Sequence, residues 1–108
     1  MNLPTEIFGD VIVVHTPREF GAEQCDGFAA YVSSLKRPRV VLDLDATEAI
    51  DSEGLGTLLN VQDQLRDAAG EAKIATTDPS NRKILEITRL DQQLEVFDSV
   101  VEAVKSFY

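Results

Sequence analysis

Cysteine and histidine are almost absent, with one of each in 108 residues. Cys25 has no partner for an internal disulfide, and together with His15 it falls short of the ligand count of a structural zinc site. A reducing compartment, the cytoplasm, is therefore expected. Long apolar runs are also missing. The longest aliphatic stretch, residues 11–14, is far too short to cross a bilayer, and the N-terminus carries neither the basic stretch nor the apolar core of an export signal, so no direct membrane insertion is expected. Basic residues are scarce: 10 Lys and Arg against 19 Asp and Glu leave a net charge of −9. That charge repels phosphate backbones and argues against nucleic acid as a direct partner. It leaves two uses for the acidic surface, solubility or contact with a basic protein. Glycine and proline are few and scattered singly, which speaks against disordered linkers and solenoid repeats. What the chain does have is apolar material, 44% of its residues. At this length that is enough for one domain, residues 1–108, without disulfides or metals.

The periodicities give an order of elements. Ile7 and Phe8, then Gly9-Asp10, then the aliphatic run 11–14 read as a hairpin. After Pro17, the positions Cys25, Phe28, Ala29, Val32 and Leu35 recur at helical spacing, and that helix stops before Pro38. Residues 39–44 form a short β-branched run typical of an interior strand. Leu55, Leu58, Leu59, Leu65 and Ala69 share a second helical face, with Gly70 as its stop signal. Residues 73–76 make another strand, and Asp78-Pro79 opens a third helix through Leu90. Residues 94–97 are the last strand, and Ser99 with Glu102 has capping-box spacing ahead of a final helix. Strands alternating with helices require crossovers over a largely parallel sheet. The expected fold is α/β: a mixed sheet of five strands packed with about four helices.

The segment Ile50-Asp51-Ser52-Glu53-Gly54-Leu55-Gly56 lies between a strand and a helix. Two glycines in a first helical turn are unusual, since each costs about 1 kcal/mol relative to alanine in a helix interior. Either they let a partner surface come close to Ser52, or they allow the helix to pack tightly on its own sheet. Ser52 has two readings as well. It is an N-cap hydroxyl, or it is a regulated hydroxyl at a helix start whose free N–H groups accommodate a phosphate. Asp51, Ser52, Glu53, Gly54, Leu55, Gly56 and Asn60 form the candidate partner surface.

Catalytic chemistry finds little support. A serine hydrolase elbow needs glycine where Ile50 stands, and His15 reads as a partly exposed strand histidine. Asp43, Asp45, Glu48 and Asp51 invite a metal, but they read more simply as strand-end, loop and turn residues. No phosphate-binding or dinucleotide loop is present, so no cofactor, no metal and no enzymatic activity are expected.

The order of Val40-Val41-Leu42-Asp43-Leu44, the 50–56 segment, Asp78-Pro79-Ser80 and Leu85-Glu86-Ile87-Thr88-Arg89-Leu90 resembles the STAS domains, particularly bacterial anti-sigma factor antagonists. The resemblance covers nearly the whole chain. It implies a STAS-like domain that, with Ser52 unphosphorylated, binds an anti-sigma factor of GHKL-type serine kinase fold. Phosphorylation at Ser52 would release that partner, and a PP2C-type phosphatase would restore binding. Two positions depart from the family's pattern: Glu53 stands where a small residue is common, and Gly21 where relatives carry an Asp facing the phosphorylation site. Those departures favour the alternative, a STAS accessory or scaffold subunit of a transporter or stress-signalling complex that is not phosphorylated.

Overall fold

Successive side chains of a strand point to opposite faces, and the aliphatic run of the second strand uses both. In the computed structural model, which describes residues 1–108, the strand Val11–His15 (β2) is buried from residue 11 to residue 14. Ile12 and Val14 enter the larger core cluster, and Val11 and Val13 a smaller one on the other face. Burial on both faces is what a continuous, non-alternating apolar run demands. Preceding it, Thr5–Phe8 (β1) pairs antiparallel with β2 in the register Thr5↔Val14 to Phe8↔Val11, closing the hairpin. Gly9 holds the left-handed φ of +61° in its turn. The Tyr108 hydroxyl pins that turn, donating to the Phe8 carbonyl at 3.0 Å and accepting from the Asp10 N–H at 3.2 Å.

Parallel to β2 runs Arg39–Asp43 (β4), then Glu71–Ala75 (β6) and Val96–Phe97 (β7), giving a mixed five-stranded sheet in the order β1-β2-β4-β6-β7. The labels β3 and β5 belong to Glu19–Phe20 and Ala49–Ile50, which pair parallel as a separate two-stranded sheet. Three crossover helices bury Phe28 and Val32 of Ala22–Ser34 (α1), Leu58, Val61 and Leu65 of Ser52–Asp67 (α2), and Leu85 of Pro79–Ile87 (α3) in the larger core. The short helix Val100–Lys105 (α4) covers the other face through Ala103. Under it lies the buried Lys73, its ammonium 4.2 Å from the centre of the Phe107 ring and donating to Ser106 Oγ at 2.8 Å. Cation–π contact and hydrogen bonding offset the desolvation of that charge.

Five strands in the main sheet and four α-helices match the expected architecture. Several details differ. Strand β6 spans Glu71–Ala75 rather than residues 73–76, and β7 only Val96–Phe97 rather than residues 94–97. The pair β3–β5 is additional. The third helix ends at Ile87 rather than Leu90, because Arg89 turns left-handed (φ 61°) and residues Leu90–Gln92 form a 3-10 turn. Gly70 does not supply the left-handed turn after α2, since Ala69 does so with φ 62°. Gly70 is needed for space instead: a Cβ there would overlap the Pro38 carbonyl oxygen. No helix is long and apolar enough to cross a membrane.

Candidate partner-binding site

The β3–β5 pairing decides where two helices begin. Phe20 and Ile50 are register partners, and the Asp51 N–H donates to the Phe20 carbonyl at 3.2 Å. The starts of α1 and α2 are thereby set side by side, with Gly21 as the cap residue of one and Asp51 of the other. Phe20 is fully buried and packs against Phe28, ring centres 4.7 Å apart and planes tilted by 55°, which anchors the arrangement in the core.

Asp51, not Ser52, caps α2: its Oδ1 accepts from the Gly54 N–H at 2.9 Å. The extended backbone at Asp51 permits this, and its carboxylate meets the positive end of the helix dipole. Ser52 is the first helical residue, exposed and left outside the cap. Glu53, also exposed, is the acidic residue of the first turn. The two glycines part company. Gly54 is buried, and a Cβ on it would overlap the Phe20 carbonyl oxygen and lie 2.9 Å from Ile50 Cγ1. It therefore serves close packing of α2 on the small sheet and does not belong to the surface proposed for a partner. A Cβ on Gly56 would meet nothing within 4 Å. Half-buried Leu55 and exposed Asn60 lie on the same helix. Gly21 faces Asp51, since a Cβ on it would stand 2.8 Å from Asp51 Oδ2. An aspartate at this position would bring a second carboxylate against the cap.

A hollow flanks α2 on either side. Toward α3, Ser52, Leu55, Gly56 and Leu59 face Thr88 and Leu90 around about 280 Å³. Toward α1 lies a broader groove of about 760 Å³, edged by Asp26, Glu53, Asp63 and Asp67 and by no basic side chain. Asn60 borders this groove, and Gly56 belongs to both hollows. Sequence reasoning passed over Asp63 and Asp67, although their spacing from each other puts them on one helical face. It had no signal for Thr88 and Leu90, which the break at Arg89 brings to α2.

The remaining candidates are occupied elsewhere. His15 Nδ1 lies 2.9 Å from Asp43 Oδ2 and its Nε2 lies 2.8 Å from Glu6 Oε1, so carboxylates engage both ring nitrogens. The four carboxylates have separate partners: Asp43 binds His15, Asp45 binds Thr76 and Thr77, Glu48 pairs with Arg18, and Asp51 caps α2. At Asp45, burial pushes the carboxyl up, but hydrogen bonds from the Thr77 N–H, the Thr77 and Thr76 hydroxyls and the Asp78 N–H outweigh it and hold the group below the usual carboxylate range.

Comparison with known proteins identifies the fold and the family. The STAS domain family matches residues 2–103. A Thermotoga maritima protein named "Putative anti-sigma factor antagonist" is 24% identical over 106 residues, 94% of each chain. The crystal structure of a putative anti-sigma factor antagonist from Thermotoga maritima superimposes with a TM-score of 0.84 at 23% identity, covering 96% of this chain and 92% of that one. The Bacillus cell fate determinant SpoIIAA in its phosphorylated form gives a TM-score of 0.71 at 17% identity, over 99% of this chain and 100% of that one. A sulfate transporter family protein from Wolinella succinogenes gives 0.80 at 14% identity, over 94% and 87%. At these identities the superpositions speak for the fold, while the family match spans nearly the whole sequence. This chain belongs to the STAS domain family.

Proposed function

We propose that this STAS domain is an anti-sigma factor antagonist, a binding module without catalysis of its own that is switched by phosphorylation of Ser52. The observation that carries the reading is the placement of Ser52: exposed at the first helical position, free of the capping role that Asp51 has taken, and beside the uncovered backbone of Gly56. The name of the Thermotoga relative and the phosphorylated form of SpoIIAA support it. The partner is an anti-sigma factor of GHKL-type serine kinase fold, and a PP2C-type phosphatase resets the switch. ATP belongs to the kinase. In the transfer, Ser52 Oγ attacks the γ-phosphorus, the bond to the ADP oxygen breaks, and the hydroxyl proton leaves with a base on the kinase.

A phosphate adds about −1.5 to −2 charges. Favourable helix-end electrostatics are worth about 0.3–1 kcal/mol, and repulsion from Asp51 and Glu53 is of similar size, so the fold is little affected. At an interface the same charge loses its water and counterions, and affinity falls. The test is to phosphorylate the protein stoichiometrically with the kinase, map the phosphate by mass spectrometry, and titrate both forms against that kinase. One phosphate on Ser52, a loss of affinity of about tenfold or more, and a nearly unchanged melting temperature are expected. Phosphate on another residue, or equal affinities, would refute the switch. A second reading, an unphosphorylated accessory or scaffold subunit in a transporter or stress-signalling complex, is favoured by Glu53 beside Ser52 and by the likeness to the Wolinella protein. It predicts an unmodified Ser52 in protein isolated from cells.

A further inference from the structure

The two hollows beside α2 differ in chemistry and meet at one residue. On the α3 side the floor is apolar, formed by Leu55, Leu59 and Leu90, with Ser52 and Thr88 at its rim. On the α1 side, four carboxylates, Asp26, Glu53, Asp63 and Asp67, edge the groove without a single cation. None of the four takes part in an ion pair: the basic side chains that do pair are His15, Arg18, Arg39 and Arg82, all with other acids. Between the hollows runs α2 itself, and at Gly56, common to both, no side chain stands in the way. A segment laid across the helix at this point is within reach of an apolar hollow on one side and an uncompensated negative groove on the other.

We infer that the protein partner contributes one amphipathic segment, basic along one edge, that crosses α2 at Gly56, seating an apolar side chain on Leu55, Leu59 and Leu90 and directing Lys or Arg side chains at Asp26, Asp63 and Asp67. Charge complementarity selects this occupant: a neutral or acidic segment leaves four carboxylates facing an apolar or like-charged surface as water is excluded. The apolar hollow supplies the anchor and the acidic groove the steering, so the two sides control different rates. Reversal of exposed carboxylates lowers the association rate and its dependence on salt, whereas loss of the anchor raises the dissociation rate. Ser52 sits at the rim of the anchoring hollow, and a phosphate there opposes the same segment.

This inference rests on the antagonist reading, and the experiment separates the two. The GHKL-fold serine kinases of the cell that makes this protein are titrated against the wild-type chain, Asp63→Lys/Asp67→Lys, and Leu59→Gln. The double reversal is expected to remain folded, because both residues are exposed and lysine at the end of a helix suits its dipole. With the kinase that binds, the double reversal is expected to lose about tenfold in association rate and most of the salt dependence. Leu59→Gln, its melting temperature checked, is expected to dissociate about tenfold faster. Cys25 gives an independent readout, since the chain's only thiol borders the acidic groove. Its alkylation by iodoacetamide should slow in the complex. Binding of a kinase with unchanged rates for both variants and an unprotected Cys25 overturns the inference and leaves the antagonist reading standing. No kinase bound by the wild-type chain overturns both. Self-association through this face, seen as a dimer by light scattering that Gly56→Arg disperses, assigns the surface to a second copy and overturns the inference.

Discussion

Gly54 and Gly56 predict opposite responses to the same substitution. Replacing glycine by alanine inside a helix stabilises by about 0.5–1 kcal/mol through backbone entropy alone. At Gly56 nothing opposes this, because an added Cβ meets no atom within 4 Å. Gly56→Ala should therefore raise stability by about 0.5–1 kcal/mol and the melting temperature by about 4 °C. At Gly54 the new methyl overlaps the Phe20 carbonyl oxygen, which also accepts from the Asp51 N–H, and it lies 2.9 Å from Ile50 Cγ1. Overpacking of a close site costs about 1–3 kcal/mol, and a backbone obstacle in a paired strand gives way less readily than a side chain. After subtraction of the helix gain, Gly54→Ala should lose about 2 kcal/mol and about 8 °C. Urea denaturation with an unchanged m-value and a thermal melt measure both variants. If Gly54→Ala were as stable as the wild type, the docking of α2 on the small sheet would be wrong, and with it the presentation of Ser52.

Two further substitutions test the surroundings. Arg89 holds a left-handed φ of 61°, a conformation that costs a residue with a side chain about 1–2 kcal/mol, so Arg89→Gly should stabilise by about 0.5–1 kcal/mol after the greater entropy of unfolded glycine is subtracted; a denaturation midpoint below the wild-type value would contradict this. Asp45 ionises more readily in the folded protein than in the unfolded one, so its stabilisation is present in full above the unfolded value of about 4 and fades as pH falls through the folded value. Asp45→Asn should thus melt lower than the wild type at pH 7, with the gap closing as pH falls through the lowered folded value; a gap independent of pH would show that the bonds from Thr76 and Thr77 do not depend on the charge.

The parts of the fold that were legible in the sequence are those with a repeated physical signal. Residues 11–14 and 40–42 are continuous aliphatic runs, and burial on both faces of the sheet is what such runs imply. The helices announced themselves by spacing and by caps: Asp78 accepts from the Ser80 N–H and Ser99 from the Glu102 N–H, as their positions suggested. The small sheet gave no such signal, because strands of two residues contain no period. Its absence from the reading had consequences at the site. Asp51 and Ser52 are both good capping residues, and what decides between them is the bond from the Asp51 N–H to Phe20, a tertiary contact. Gly54 and Gly56 look alike in sequence, and the same contact with β3 separates them. The hollow at Thr88 and Leu90 escaped notice for another reason: arginine rarely marks a left-handed stop, so the helix was read on through it.

The same capping bond shapes how a phosphate on Ser52 would be received. A phosphate at a helix start is ordinarily held by the free N–H groups of the first turn. Here the Gly54 N–H is already committed to the Asp51 carboxylate, and the Leu55 N–H to the Asp51 carbonyl. Only the N–H groups of Ser52 and Glu53 are left, flanked by the carboxylates of Asp51 and Glu53. Such a site offers a phosphate modest attraction and comparable repulsion, so the group gains little by folding back onto its own helix. It would then be directed outward, over Gly56 and the hollow of Leu55 and Leu59, the surface proposed for the partner. On the proposed switch, the energetic effect would therefore fall on the interface and not on the fold, which is the condition for a modification that changes binding while leaving the domain intact.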